Sequence, residues 1–302
     1  MKKILTLVPL LVLILTTAPM AGQKLTLMLD WFPNVDHLPV YTARESGYFQ
    51  EQGVEVDIIT PSETSDGLKL AASGNVDLAV SYQPQTTIAA GQGLELRVVA
   101  PLVVHPLTCL LFLDKTIQSP SDLSGKKIGY TVPGLMDVML KAFADINSIK
   151  DYTPVNVGFT ILPSLVSGKV YAVMGPFKTY ETVGMERHGH QALFFELEKY
   201  GIPDYEELIF VCGKHVLETK KKAVAGFVKG LEKAFARIQA QPDACLQLYL
   251  AAVDQADKEI ETRAFELTRP YFAKKMGHDL GKWQAFADFA LEYKLIDRPL
   301  AA

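Results

Sequence analysis

The chain has 302 residues, 49% of them hydrophobic, 10% aromatic and 21% charged, an ordinary globular balance with enough apolar mass for one or two cores. Disordered, collagenous and disulfide-scaffold classes are excluded on composition. Thirty Lys+Arg against 34 Asp+Glu leave a formal charge of −4 without any long basic run, so the electrostatic footprint of a nucleic-acid binder is missing.

Lys2 and Lys3 precede an apolar run from Ile4 to Leu15, followed by the small-residue tail Thr16 to Gly22. This is the layout of a secretory signal peptide, read here over residues 1–22. The apolar run falls short of the roughly 18 residues that a membrane-spanning helix needs. The expectation is therefore a periplasmic protein with no stable membrane insertion after cleavage. Cys109, Cys212 and Cys245 are far apart and form no Cys-x-x-Cys pair, which predicts buried free thiols rather than a metal or redox centre.

From Lys24 onward, short apolar runs alternate with helical periodicity, the signature of α/β layering. Strands are predicted over 24–29, 54–59, 76–81, 96–103, 109–113, 127–131, 155–159, 170–174, 192–197 and 208–212, with helices over 38–50, 65–72, 135–146 and 179–188. After Gly213 the pattern is helical to Leu295. About 280 mature residues exceed the usual single core, which predicts two lobes. The prolines Pro101 and Pro106, and the stretch Tyr200 to Tyr205, are the candidate crossings. They divide the chain into 23–104 plus 206–302 as one lobe and 105–205 as the other.

No Gly-x-Gly-x-x-Gly loop, Walker loop, Gly-x-Ser-x-Gly elbow or His-Glu-x-x-His helix occurs, which removes the main support for those enzyme classes. His188 and His190 flank Gly189 without a third ligand in sequence, and Asp77 reads as a carboxylate capping a turn. What remains lies at predicted strand ends, where open α/β sheets place ligands. The loop "LDWFPNVDH" carries Asp30, Trp31, Asn34 and His37. Trp31 either stacks on a flat ligand or caps the core, and Asn34 offers both a donor and an acceptor. "VSYQPQ" adds Ser81 and Tyr82, with Pro84 opening a helix. His105 lies at the first crossing, and Gly134 at a turn before a helix, where backbone N–H groups are free. "VMGPFKTYETVG" supplies Gly175, Phe177, Tyr180 and Glu181. Glu181 is either a ligand contact or a carboxylate complementing the helix dipole.

The segments "LDWFPNVDHLPVYTARESGYFQEQGVEVDI", "AASGNVDLAVSYQPQ", "VVHPL" and "VMGPFKTYETVGMERHG" resemble the pyrimidine-binding components of bacterial thiamine-precursor ABC transporters. The resemblance runs from about Leu25 to Leu295 and is most specific in the first motif. It implies a type II periplasmic-binding-protein fold, with mixed sheets flanked by helices and a ligand cleft between two lobes. It also implies an aminopyrimidine ligand, such as a formylated aminomethyl-methylpyrimidine for thiamine salvage, a membrane permease as partner, and no cofactor or catalytic group. In the family the Trp-aromatic-Pro-Asn loop, here Trp31 to Asn34, contributes to the pyrimidine site. The glutamate matched by Glu181 pairs with a ring nitrogen and its neighbouring amino group, and Tyr82 and His105 match with less specificity. "MGPFKTYE" departs from many relatives at Pro176, Phe177 and Lys178, which leaves the exact ligand open.

The wider superfamily holds two alternatives. One is a binding protein for riboflavin, a sulfonate or another heterocycle. The other is a thiamine-pyrimidine synthase, which the resemblance associates with pyridoxal phosphate on a lysine, its own histidine as substrate, iron and a cysteine-rich segment. The three dispersed cysteines form no such segment.

Overall fold

The structure is a computed structural model that describes residues 22–301. The signal-peptide reading therefore lies, apart from Gly22, outside the described residues. Ten strands are described: β1 (Gln23–Met28), β2 (Val54–Ile59), β3 (Leu78–Ser81), β4 (Leu96–Val103), β5 (Thr108–Phe112), β6 (Lys127–Tyr130), β7 (Thr153–Asn156), β8 (Ala172–Phe177), β9 (Leu193–Glu196) and β10 (Leu208–Gly213).

The strands form two five-stranded sheets, in the orders β2-β1-β3-β10-β4 and β7-β6-β8-β5-β9. In the first, β1 runs parallel to β2 and β3 while β10 is antiparallel to β3 and β4. The second is built alike, with β6 parallel to β7 and β8 and β5 antiparallel to β8 and β9. Each sheet is thus mixed, with helices on its faces. β5 (TCLLF) and β10 (LIFVCG) are buried at every position, which is why both read as unbroken apolar runs instead of alternating ones. The chain passes from the first sheet to the second between Val103 and Thr108 and returns between Glu196 and Leu208.

After β10 the described residues hold five α-helices and no strand. The longest, Lys221–Ala240, buries Ala223, Phe227, Leu231, Ala234 and Ile238, a stripe at three- and four-residue spacing that lays one face on the core. At Gly230 a Cβ atom would stand 2.5 Å from Cδ1 of Phe49, so glycine is what lets the helix approach the first sheet so closely.

Strand bounds shift by up to three residues, as where the strand predicted over 170–174 is Ala172–Phe177, and two of the differences have a clear local cause. The helix predicted over 38–50 ends earlier, as Leu38–Glu45. Gly47 adopts φ +74° and the amide of Tyr48 donates to the carbonyl of Ala43, a left-handed termination that turns Phe49 into the core. The strand predicted over 155–159 is Thr153–Asn156. There the Asn156 side chain accepts from the Gly158 amide (3.0 Å), and this local turn outcompetes the sheet ladder. Phe159 consequently leaves the sheet and reaches the cleft between the two halves.

Candidate functional site

A narrow cavity lies between the two sheets, lined by Asp30, Trp31, Asn34, Asp36, His37, Tyr82, Ile161, Gly175, Phe177, Glu181 and Leu208. Its polar wall comes from the loops after β1 and β3 and from the end of β8, all carboxyl ends of strands, where the backbone leaves the sheet and side chains converge.

The loop after β1 is locked by its own side chains. Asn34 Oδ1 accepts from the amide of Asp36 (2.9 Å), Asn34 Nδ2 donates to the carbonyl of Phe32 (3.2 Å), and the amide of Asn34 donates to His37 Nδ1 (3.3 Å). This reciprocal cap starts the short helix Val35–His37. Because Nδ1 accepts, the ring carries its proton on Nε2, which donates to Asp30 Oδ1 (2.8 Å). The hydroxyl of Tyr82 donates to Asp30 Oδ2 (2.7 Å). Burial, reinforced by the Asp30 charge, pushes the Tyr82 phenol well above its ordinary range, so Tyr82 remains a donor. Asp30, His37 and Tyr82 therefore form a satisfied network that stiffens one wall.

Asp36 is in a different state. It is 1% exposed, it lines the cavity, and neither carboxyl oxygen has a hydrogen-bond partner among the described residues. Burial raises its pKa to about 8, opposed by His37 and reinforced by the carboxyls of Asp30 and Glu181.

Glu181 faces the cavity from the second sheet. It follows β8 and opens the helix Glu181–Arg187, and its Oε2 accepts from the amide of Phe177 (2.6 Å). Burial raises its pKa to about 7, against the hydrogen bonds from the amides of Phe177 and of Glu181 itself. A carboxyl so placed titrates near neutrality and is able either to donate or to accept. At Gly175 the backbone has φ +122°, and a Cβ would fall 2.0 Å from Thr131 Oγ1. β8 reaches the cavity only because that side chain is absent.

Aromatic side chains supply the apolar wall. Tyr82 and Phe177 meet edge to face across the two halves, with ring centroids 6.4 Å apart. Trp31 packs edge-on against Phe159 at 4.5 Å, and Phe32, 52% exposed, lies against the same ring at 4.6 Å. These contacts and the hydrogen bond from Thr64 Oγ1 to the Thr131 carbonyl (2.8 Å) join the two halves.

Of the residues singled out in the sequence, Trp31, Asn34, His37, Tyr82, Phe177 and Glu181 line this cavity. Four others sit elsewhere. Ser81 is buried and bonded to Gln85 and Thr86, because as the last residue of β3 it turns its hydroxyl into the helix that follows. His105 lies in the first crossing, between Asp204 (2.9 Å) and Glu198 (3.2 Å) and stacked on Tyr271. Gly134 donates its amide to Asp137 Oδ1 (2.7 Å), so the turn consumes the group that was to receive a ligand. Tyr180 donates to Glu261 Oε1 (2.8 Å) and borders a neighbouring groove beside Trp31 and Phe159. Sequence reasoning missed Asp36, since an acid in the first turn of a helix reads as a dipole complement. It also missed Phe159, whose position in an apolar run reads as strand. Asp77 does cap a turn, accepting from the Thr26 amide and pairing with Lys220. The three cysteines are buried and free, and no group of His, Cys, Asp and Glu suited to a metal ion occurs among the described residues.

The chain matches the family described as NMT1/THI5 like over residues 34–245. It belongs to that family. Two relatives of this NMT1/THI5-like chain span nearly its whole length. A Haemophilus influenzae protein named for thiamine biosynthesis is 36% identical over 96% of this chain and 93% of its own. The formylaminopyrimidine-binding protein of Halalkalibacterium halodurans is 31% identical over 93% of this chain and 89% of its own. Among solved structures, the alkanesulfonate-binding protein of Xanthomonas axonopodis pv. citri superposes with a TM-score of 0.69 at 14% identity, covering 93% of this chain and 96% of that one. The NMT1/THI5-like chain therefore has the two-lobed fold of the periplasmic binding proteins. No helix among the described residues is long and apolar enough to cross a membrane.

Proposed function

We propose that this protein is the periplasmic solute-binding component of an ABC importer and that it captures a thiamine-related aminopyrimidine for salvage. The observation that carries the reading is Glu181. Its carboxyl stands on the cavity wall, fixed by the Phe177 amide and raised to about 7, beside the Tyr82 and Phe177 rings. An aminopyrimidine offers an amino N–H next to a ring nitrogen, and a carboxyl poised between its two protonation states serves both. It accepts from the amino group and shares one proton with the ring nitrogen, a charge-assisted pair about twice as strong as a neutral one. Trp31, Phe177 and Tyr82 supply the faces and edges that hold a flat ring.

In this reading the lobes are residues 23–104 with 206–302, and residues 105–205. They close as rigid bodies about the two crossings, and the closed form is what the permease engages. The name of the 31% identical relative supports the ligand class. The synthase alternative is not favoured, because a Schiff-base cofactor requires a lysine and none is among the residues lining the cavity. A sulfonate is disfavoured by the same wall, which carries three carboxyls and neither Lys nor Arg.

Glu181→Gln keeps the shape and removes the shared proton. Calorimetric titration is expected to show at least about tenfold weaker binding of the hydroxymethyl aminopyrimidine, the scale of one charge-assisted hydrogen bond. Unchanged affinity would take Glu181 out of the site.

A further inference from the structure

Among the described residues five acidic side chains are buried below a tenth of their surface: Asp30, Asp36, Glu206, Glu207 and Glu261. Four of them are held. Asp30 accepts from His37 and Tyr82. Glu206 bonds His278, the Asp279 amide and the Trp283 indole. Glu207 accepts from Leu107, Thr108 and the Thr108 hydroxyl. Glu261 accepts from Tyr180 and the Val35 amide. Only Asp36 has both oxygens unpartnered, and it alone of the five combines that state with a place on the cavity wall. Buried carboxyls are normally hydrogen-bonded or paired, and an exception calls for a missing partner.

We propose that Asp36 receives a positively charged amine of the ligand, so that the protein selects an aminopyrimidine carrying a free aminomethyl group over its N-formylated form. The inference rests on the aminopyrimidine reading above and names the substituent that reading leaves open. No cation within the cavity serves Asp36 instead, and the Thr268 hydroxyl, which favours its charged form, donates to Thr179 Oγ1 (2.9 Å). The single N–H of His37 is committed to Asp30, and neither Lys nor Arg lines the wall. Lys178, one residue beyond β8, is held by Glu196 (2.8 Å) and Glu198 (2.9 Å) on the far side. Asp36 holds its proton in the ligand-free protein near neutral pH, and an ammonium placed beside it favours the carboxylate, so that binding releases the proton and leaves a carboxylate–ammonium pair. A formyl cap removes the ammonium charge and two of its donors, and a hydroxymethyl group of similar size carries neither. Because Asp36 belongs to the loop after β1 and Glu181 to the helix after β8, a ligand whose ring meets one and whose amine meets the other ties the two halves together.

The test is a calorimetric comparison of the aminomethyl, N-formylaminomethyl and hydroxymethyl forms of the same aminopyrimidine ring, on the wild-type protein and on Asp36→Asn. Wild type is expected to bind the aminomethyl form at least about tenfold more tightly than either neutral form, as one charge-assisted contact allows. Asp36→Asn is expected to lose that preference while still binding the hydroxymethyl form. The proposal is overturned if the formylated form binds wild type as tightly as the free amine, or if the preference survives in Asp36→Asn. The wild-type ranking decides the matter without the variant should the variant fail to fold. If no form binds wild type, the aminopyrimidine reading itself fails and this inference falls with it, an outcome distinct from binding without preference.

Discussion

Glu207 and Asp36 are two buried carboxyls in the same half of the molecule, 0% and 1% exposed, and burial raises both well above the usual range, to about 7 and about 8. Their surroundings differ completely. Glu207 stands beside the crossings and takes hydrogen bonds from the amides of Leu107 and Thr108 (2.6 and 2.7 Å) and the Thr108 hydroxyl (2.8 Å). It ties the returning strand to the outgoing one where the chain changes sheets. Asp36 stands on the cavity wall with neither oxygen in a formed hydrogen bond, and only the Thr268 hydroxyl and the His37 ring nearby favour its charged form. In the proposed account the difference separates a buried acid that joins the two crossings from one that receives the ligand. The hinge acids are saturated further by cations: His105 bridges Asp204 and Glu198, and Lys282 joins Asp204.

The largest effect that sharpens this comparison is on the hinge side. Glu207→Ala leaves two buried amides and a hydroxyl without an acceptor, and chemical denaturation is expected to show a loss of roughly 3 kcal/mol. A loss under about 1 kcal/mol would mean that water or a shifted backbone replaces the carboxylate and that the hinge does not depend on it.

The next concerns pH. Asp36, Glu181, Glu207 and Glu261 all have folded values raised to about 7 or 8, so each binds its proton more tightly in the folded than in the unfolded chain. Their stabilising contribution is complete below about pH 4 and is lost as pH rises through 7 to 8. His105, raised to about 9 by its bonds to Asp204 and Glu198, begins to lose its contribution above about pH 6.5, in the same direction. Scanning calorimetry of the ligand-free protein is expected to show a falling melting temperature from about pH 5 to about pH 8, and a rising one would contradict the account.

The smallest effect isolates Asp36. At about pH 8, where wild type must either bury the charge or hold the proton, Asp36→Asn is expected to raise the ligand-free melting temperature by about 2 °C, with little change near pH 5. Glu207→Gln, the same chemical change at a saturated acid, is expected to lower it at both values. Equal behaviour of the two variants would erase the distinction between hinge acid and ligand acid.

Most of the fold was legible in the sequence because its central strands β3, β5 and β10 are buried on both faces and its helices on one. Unbroken apolar runs marked β5 and β10, and the three- and four-residue spacing of Ala223, Phe227, Leu231, Ala234 and Ile238 marked the helical end of the chain. Local polar chemistry was less visible. The Asn156 turn removed Phe159 from a strand that its neighbours favour, and Gly47 shortened a helix that periodicity continues. The cavity was half legible for a related reason. Strand-end loops can be listed from a sequence, but which of them face each other depends on how two sheets meet. Gly134 and Tyr180 lie on loops that qualify by the same rule as those of Trp31 and Glu181, yet hydrogen bonds to Asp137 and Glu261 turn their polar groups to other work. Asp36 lay in plain view beside His37, and only the absence of any partner in three dimensions distinguishes it from a helix-start acid.

The claim that this cavity serves a thiamine-related aminopyrimidine is tested most directly by a thermal-shift screen of the mature wild-type protein against the aminopyrimidine forms, thiamine, riboflavin and taurine, since a ligand of the folded state raises its stability by mass action. The account predicts a concentration-dependent rise with the aminopyrimidines and none with riboflavin or taurine. A rise with taurine or riboflavin alone would leave the fold in place and contradict the assigned ligand.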